Sequence, residues 1–347
     1  MAAQVSILKF GVSSPADTSP LKHVKVAGYN ASKILAVIGK SEGNGCVNDF
    51  SRTLSTVVWE PLIPDSAVTI FSEGTEGVLS PHVTFIVREE EATGLLAAAG
   101  RTRVLEPHEI GTAEHATQIA SSVREILERT NISRENVNLV LIKCPLLTSE
   151  KVGITKAASK APVTEDTYES MAKSRYASAV GIAVALGEIG ESYLDEAMRN
   201  ETTWSSRASC SSGAELEDCH ILIIASDPSS GNLRGISAHM DDAIDANVIL
   251  RVLDQVKTEK GRVLQVFAKA EASKNGTIRG MRHTMNNDSD IHSTRHARAA
   301  MGGLIAGLVG DTQLYISGGA EGQGPPGGGS LAVFYTVAEP HSQKALV

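Results

Sequence analysis

Three lysines and three serines recur in the same order along this chain. The pattern Ser-x-Gly-x-Glu occurs at Ser72–Glu76, Ser211–Glu215 and Ser317–Glu321. Upstream of each copy an apolar run closes on a lysine: Lys33–Lys40 (KILAVIGK), Asn136–Lys143 (NVNLVLIK) and Arg262–Lys269 (RVLQVFAK). Serine and lysine can carry acyl transfer without a metal, the amine taking the proton while the hydroxyl attacks. A lone lysine at a strand end is ordinarily a solvated terminus, and a lone serine before glycine an ordinary turn residue. Three such pairs in one order are an internal repeat, and a repeat constrains architecture before any other feature does.

Arginines extend the pattern. Arg175 (RYASAVGIAVALG) and Arg298 (RAAMGGLIAGLVG) each read as opening a helix that ends twelve residues later, at Gly187 and Gly310, where glycine suits a helix C-terminus. A cation in a first helical turn opposes the helix dipole, which argues for a functional reason. Arg52, after Asn48-Asp49, is the counterpart in the first copy. If the copies converge, Lys40, Lys143, Lys269, Arg52, Arg175, Arg298, Ser72, Ser211 and Ser317 share one cavity. Such a cationic ring suits a compact ligand rich in carbonyls. Arginine offers forked donors to carbonyl oxygen. Each serine, with the residue beside it (Glu73, Ser212 or Gly318), offers hydroxyl and backbone N–H donors, the parts of an oxyanion hole. Crowded cations lower an amine's pKa, so a lysine there can act as a base near neutral pH. The reaction class is hydrolysis of an amide or imide.

The positioning elements recur as well. Alternating segments at Gln4–Phe10, Arg101–Leu105 and Leu233–His239 read as strands, and helices are expected at Ala116–Thr130 and Asp242–Glu259. In the former, Ile119, Val123, Ile126 and Leu127 fit a period near 3.6. The lysine-ending β runs follow, and each unit closes on a strand: His82–Val87, His220–Ala225 and Leu331–Val337. Polar stretches at Glu89–Thr93 and Asp227–Asn232 mark the joins. The expected units are 1–92, 93–229 and 230–347, α/β in class. They close most simply around a pseudo-threefold axis, although a linear array fits the same sequence.

Composition excludes several classes. The chain has 347 residues, and its formal charge of −8 argues against nucleic acid or an anionic membrane as partner. Aromatics make up only 4%, so Ala, Val, Ile and Leu must build the cores. The segment MAAQVSILKF has no basic n-region, and no apolar run reaches the length of a membrane span, so a cytoplasmic protein is expected. Cys46, Cys144, Cys210 and Cys219 show no CxxC spacing, which argues against structural zinc and for a reducing compartment. Cys144 and Cys210 flank the proposed dyad, but strand alternation points them away from it. His283, His292 and His296 lack HxH or HExxH spacing and read as surface or supporting residues.

At these residues the chain resembles the ring-opening amidohydrolases, the cyanuric acid amidohydrolase and barbiturase family. The carrying segments are Gly39–Arg52, Gly74–His82, Lys143–Thr148, Ala161–Met171, Phe267–Ser273, Gly280–Met285, Asp288–Ala299 and Ser317–Gly329, together nearly the whole chain. The resemblance implies three pseudo-threefold-related units whose strands form a central β-barrel-like core with helices outside. It implies that Lys143 is the base and Ser211 the nucleophile, opening cyanuric acid to carboxybiuret and then biuret and carbon dioxide. Barbituric acid, opened to ureidomalonate, is the alternative substrate, and a non-enzymatic small-molecule binding module the alternative use of the scaffold. Ser72 and Ser317 would bind ring carbonyls, Arg52, Arg175 and Arg298 would clamp the ring, and Lys40 and Lys269 would support the serines. The resemblance further implies a homotetramer, no catalytic cofactor, and a structural Mg²⁺ or Ca²⁺ held by Glu271 with oxygens of Ala320, Gln323, Gly324, Pro325 and Gly328. Oxygen-only ligation suits such a hard cation. Two positions depart from the family: Glu73 stands where Gly is usual, and Ser212 where Ala is common.

Overall fold

The computed structural model describes residues 2–337. Residues 3–89 form strand β1 (Ala3–Gly11), the short helix α1 (Pro20–Val26), β2 (Ile34–Lys40), α2 (Phe50–Trp59), β3 (Val68–Phe71) and β4 (His82–Glu89). Residues 95–226 form β5 (Leu95–Arg101), α3 (Ala113–Thr130), β6 (Val137–Pro145), α4 (Ser149–Ala157), α5 (Thr167–Ala185), α6 (Leu194–Asn200), β7 (Ala208–Gly213) and β8 (His220–Ser226). Residues 233–336 form β9 (Leu233–Met240), α7 (Ala246–Thr258), β10 (Arg262–Ala270), the two-residue strands β11 (Thr277–Ile278) and β12 (Met281–Arg282), α8 (Ser293–Val309), β13 (Tyr315–Gly318) and β14 (Gly329–Thr336).

One mixed sheet runs β3-β2-β4-β1-β5-β8-β6-β7, and another runs β13-β10-β14-β9. Within each stretch of chain the order is third, second, fourth, first strand. The lysine strand and the serine strand are parallel each time. A parallel pair needs a long crossover, and here it is a helix: α2, α5 or α8, each carrying one of the arginines.

Alternation along the strands explains which side chains meet. In β6, Leu139 and Leu141 belong to an apolar cluster drawn from all three stretches, whereas Val140, Ile142 and Cys144 pack outward with α3 and α5. Side chains two apart share a face, so Lys143 points where Leu141 points. By the same parity Lys40 follows Ile38, Lys269 follows Phe267, Ser72 follows Ile70 and Ser317 follows Tyr315. Cys210 lies in the outward cluster, so Ser211 faces inward.

Three expectations are corrected. The strand expected at Arg101–Leu105 lies earlier, at Leu95–Arg101. Its LLAAAG run has weak intrinsic β preference, but hydrogen bonding to β8 along its whole length and to β1 at its start fixes it as a strand. Nor do Arg175 and Arg298 open their helices. Asp166 caps α5 by accepting the N–H groups of Tyr168 and Glu169, so Arg175 falls mid-helix. His292 caps α8 by accepting the Thr294 N–H, so Arg298 lies beyond the first turn. The dipole argument for these arginines therefore falls away. The helix ends are as expected: Gly310 takes a left-handed φ of 77° and Gly187 one of 72°. The helix expected at Asp242–Glu259 begins later, at Ala246, capped by Asp245.

Candidate active site

Register brings the lysines beside the serines. Lys143 pairs with Ser211 and Lys269 with Ser317 across their parallel strands. In the first stretch Gly39 pairs with Phe71, one step before Lys40 and Ser72. The serines stand at strand ends, not in free turns, because the strand carrying each lysine holds them. All six side chains are buried, as are Arg52, Arg175 and Arg298.

The glutamates that end the serine motifs organise the arginines, a role the sequence reading did not assign. Glu76 pairs with Arg298, Glu215 with Arg52, and Glu321 with Arg175. Each pair joins two stretches of chain: first to third, second to first, third to second. Glu321 grips Arg175 through two parallel bonds of 2.7 and 2.8 Å, the strong forked geometry. Burial works against ionisation of Glu321, but Arg175 more than offsets it and holds the carboxyl at about 2. The motif glycines give the guanidinium groups space. At Gly74 (φ 110°) and Gly319 (φ 74°) a Cβ would lie 2.6 Å from Arg298 and Arg175 respectively.

The lysines follow a related pattern. Lys143 Nζ donates to Phe71 O (2.6 Å) and Ser212 O (3.4 Å). Lys269 Nζ donates to Cys210 O (2.8 Å) and Gly318 O (3.2 Å). Each therefore holds the carbonyl before one serine and the carbonyl after another. Their third contacts differ. Lys143 lies 3.2 Å from Glu215 Oε1, whereas Lys269 donates to Ser317 Oγ at 2.9 Å. Burial, with nearby Arg175, lowers Lys269 to about 7. Burial also lowers Lys143, and Glu215 pulls it back up. Lys40 breaks the pattern: its Nζ is buried without a hydrogen-bond partner among the described residues and lies 5.8 Å over the Tyr315 ring. Burial and Arg298 push it well below the usual lysine range.

The serines differ in the same way. Ser72 and Ser317 hydroxyls share a 2.9 Å hydrogen bond. Ser211 Oγ is buried and has no partner among the described residues. Beside it, Cys144 Sγ and Cys210 belong to the opposite, outward face, as alternation requires. Tyr315 was missed by sequence reasoning. Its hydroxyl faces Ser72 and Ser211, and burial pushes its pKa up. No signal in the chain could have revealed it, because the equivalent positions are Ile70 and Ser209.

Other expected site residues sort themselves. Arg52 donates to Ser212 O at 3.3 Å and Cys46 O at 2.8 Å. Ser212 Oγ receives Arg175 at 3.4 Å. Gly318 lies against Arg298. The Glu73 side chain turns toward Ser41 and Ser55. His292 bonds Tyr168 Oη at 3.0 Å, and His296 pairs with Asp288.

Of the residues expected to hold a cation, Glu271, Ala320 and Gly324 line one cavity. Glu271 is buried, its carboxyl is pushed up by burial and by the Glu321 carboxylate, and it accepts the Gly327 N–H at 3.4 Å. With Ala320, Gly324 and Glu321 it lines a cavity of about 300 Å³. Gln323 is committed elsewhere: its side chain accepts the Cys210 N–H and donates to Gly319 O, and its backbone oxygen accepts the Ser330 N–H at 2.6 Å. An under-bonded carboxylate among loop carbonyls fits a hard cation. No cluster of three His, Cys, Asp or Glu side chains suited to a metal occurs among the described residues.

Known proteins resemble this chain in sequence and in fold. Residues 6–336 match the family model described as "Amidohydrolase ring-opening protein". A cyanuric acid amidohydrolase of Sarocladium sp is 61% identical over 97% of this chain and 99% of its own length. One from Pseudonocardia dioxanivorans is 52% identical over 96% and 99%. A solved structure described as "Cyanuric acid hydrolase: evolutionary innovation by structural concatenation" superposes with a TM-score of 0.91, at 40% identity, covering 97% of this chain and all of that one. The cyanuric acid hydrolase of A. caulinodans gives 0.90 at 39% identity, over 97% of this chain and 100% of its own. The chain belongs to the amidohydrolase ring-opening family.

Proposed function

We propose that this protein opens cyanuric acid by hydrolysis, with Ser211 as nucleophile and Lys143 as base. Three stretches, 1–92, 93–229 and 230–347, act as structural copies about a pseudo-threefold axis, their inner strands forming a barrel-like core. The observation that carries this reading is the cyclic set of Glu–Arg pairs around three Lys–Ser strand ends, with one hydroxyl, Ser211, left unengaged. A flat ring with three carbonyls meets one serine and one arginine on each side. The names of the relatives point to the same substrate.

The steps follow from the groups. Ser211 Oγ attacks a ring carbonyl carbon while Lys143 takes its proton. Backbone N–H and hydroxyl donors beside the serines stabilise the oxyanion. The C–N bond breaks, the proton on Lys143 passes to the departing nitrogen, and an acyl ester remains on Ser211. Water, deprotonated by Lys143, attacks the ester carbon; the C–Oγ bond breaks, the proton on Lys143 returns to Ser211 Oγ, and carboxybiuret departs and loses carbon dioxide to give biuret. Glu215 stays beside the amine and stabilises the ammonium formed at each transfer. Arg52, Arg175 and Arg298, together with the Ser72–Ser317 pair, hold the two remaining carbonyls.

A specific observation favours a second assignment of roles. Lys269 Nζ lies 2.9 Å from Ser317 Oγ and titrates near neutrality, so its deprotonated form is placed to take that hydroxyl's proton. In that reading Ser317 attacks. Glu271 and the loop carbonyls of Ala320, Gln323, Gly324, Pro325 and Gly328 would hold Mg²⁺ or Ca²⁺, which supplies positive charge against the Glu271 and Glu321 carboxylates. Barbituric acid presents the same carbonyls with one ring NH replaced by CH₂. Absorbance assays of purified protein on both rings test the proposal: faster loss of cyanuric acid supports it, faster loss of barbituric acid changes the substrate, and turnover of neither refutes it.

A further inference from the structure

The residue between serine and glycine differs in each motif: Glu73, Ser212 and Gly318. Ser212 turns its hydroxyl to Arg175, and Gly318 makes room for Arg298. Glu73 does neither. It is 1% exposed. Its carboxyl accepts the backbone N–H of Ser41, the residue after Lys40, and lies 3.2 Å from Ser55 Oγ on α2, three residues beyond Arg52. Gly74 N–H adds a 2.9 Å bond to Ser41 O. The loop that starts at Ser41 presents two carbonyls to the clamps: Asn44 O to Arg298 at 3.2 Å and Cys46 O to Arg52 at 2.8 Å. One carboxyl thus links the Ser72 strand, the loop that seats two arginines, and the helix that carries one of them.

Ser55 Oγ also lies 3.0 Å from Pro15 O. A hydroxyl has one proton, so Ser55 has two acceptors to choose from, Glu73 Oε1 and Pro15 O. Burial raises the Glu73 carboxyl to about 7, against the pull of Lys40, the Ser41 N–H and Ser55, which lower it. Asp49 adds negative charge from the loop, while Lys40, Asp17 and His82 line the small cavity that it borders.

We propose that Glu73 is a positioning residue whose bonds to Ser41 and Ser55 fix the 41–49 loop and α2 so that Arg52 and Arg298 meet the substrate. The substrate in that statement rests on the cyclic-imide reading; the tether does not. Glutamine can make the same bonds, Oε1 accepting the Ser41 N–H and Nε2 donating to Ser55 Oγ. Alanine can make neither. The test is hydrogen–deuterium exchange over residues 41–59 in ligand-free protein, beside kcat and KM on cyanuric acid. Glu73→Ala should speed exchange across 41–49 by about tenfold and raise KM by about tenfold with a smaller fall in kcat, as loss of buried hydrogen bonds implies. Glu73→Gln should restore both. Exchange unchanged in Glu73→Ala, or Glu73→Gln behaving like Glu73→Ala, overturns the proposal. If the alanine protein does not fold, faster exchange across 41–49 in Glu73→Gln overturns it alone. If unmodified protein opens no ring, the cyclic-imide reading fails, while exchange still decides the tether.

Discussion

The second and third Lys–Ser–Glu sets use the same residue types on the same strands, yet they sit in different states. In the third, Glu321 is locked onto Arg175, so Lys269 has no carboxylate of its own and turns to Ser317. In the second, Arg52 stays 3.8 Å from Glu215, and the carboxylate sits beside Lys143 instead. The choice of partner made by one glutamate thus sets the charge on a lysine and the freedom of a serine. Burial alone disfavours an ammonium in both places; the carboxylate decides how far. The result is one serine already bonded and one, Ser211, free for a ligand.

The largest effect is expected at the second set. Lys143→Ala and Ser211→Ala should each lower kcat by at least about 10³-fold, and the double variant should be no worse than either single one, as for groups acting as a unit. Lys269→Ala should cost less in kcat. Steady-state rates of the four proteins check this, and a larger loss at Lys269 would move the base to the third set.

Next come the glutamates. Glu321→Gln breaks a buried forked pair and should raise KM by about 10- to 100-fold, since one partner is left charged and unmatched. Glu215→Gln should instead lower kcat by about tenfold with a smaller change in KM, because it acts on the ammonium that forms during reaction. Equal kcat-to-KM splits in the two variants would erase the distinction between the sets.

The lysine states predict a pH effect on stability. Lys269 titrates near 7 when folded and near 10.5 otherwise. Between those values the unfolded chain binds more protons, so the contribution of Lys269 to stability rises with pH across that window. Below it, the cost of burying the ammonium is present in full. Lys269→Met should flatten the rise between about pH 7 and 10.5 in denaturant titrations. A curve of unchanged slope would show that Lys269 is not held near neutrality. The smallest effect is expected from Tyr315→Phe, which removes one hydroxyl facing Ser72 and Ser211 and should change kcat/KM by roughly two- to fivefold.

The lysine strands, the closing strands and the convergence of lysine, serine and arginine could be read from the sequence because each recurs three times and strand alternation is strict. The Arg101–Leu105 strand was misplaced because alanine-rich Leu95–Arg101 owes its conformation to neighbouring strands, not to its own residues. The helix starts at Arg175 and Arg298 were misjudged because the capping residues, Asp166 and His292, lie well upstream in segments with little apolar periodicity. The Glu–Arg pairs were hidden because each joins residues far apart in the chain. The motif glutamates did repeat, however, and a third recurring charge beside the arginines was the signal available. Tyr315 and the turn of Glu73 toward Ser41 and Ser55 belong to one copy only, so repetition could not expose them.

Turnover of cyanuric acid by Ser211→Ala and Ser317→Ala, measured in one assay at one pH, tests the assignment of the attacking hydroxyl most directly. Ser211→Ala should fall to the uncatalysed rate, while Ser317→Ala keeps measurable kcat with weakened KM. Residual turnover by Ser211→Ala together with a dead Ser317→Ala would contradict it and place the attack on the third strand pair.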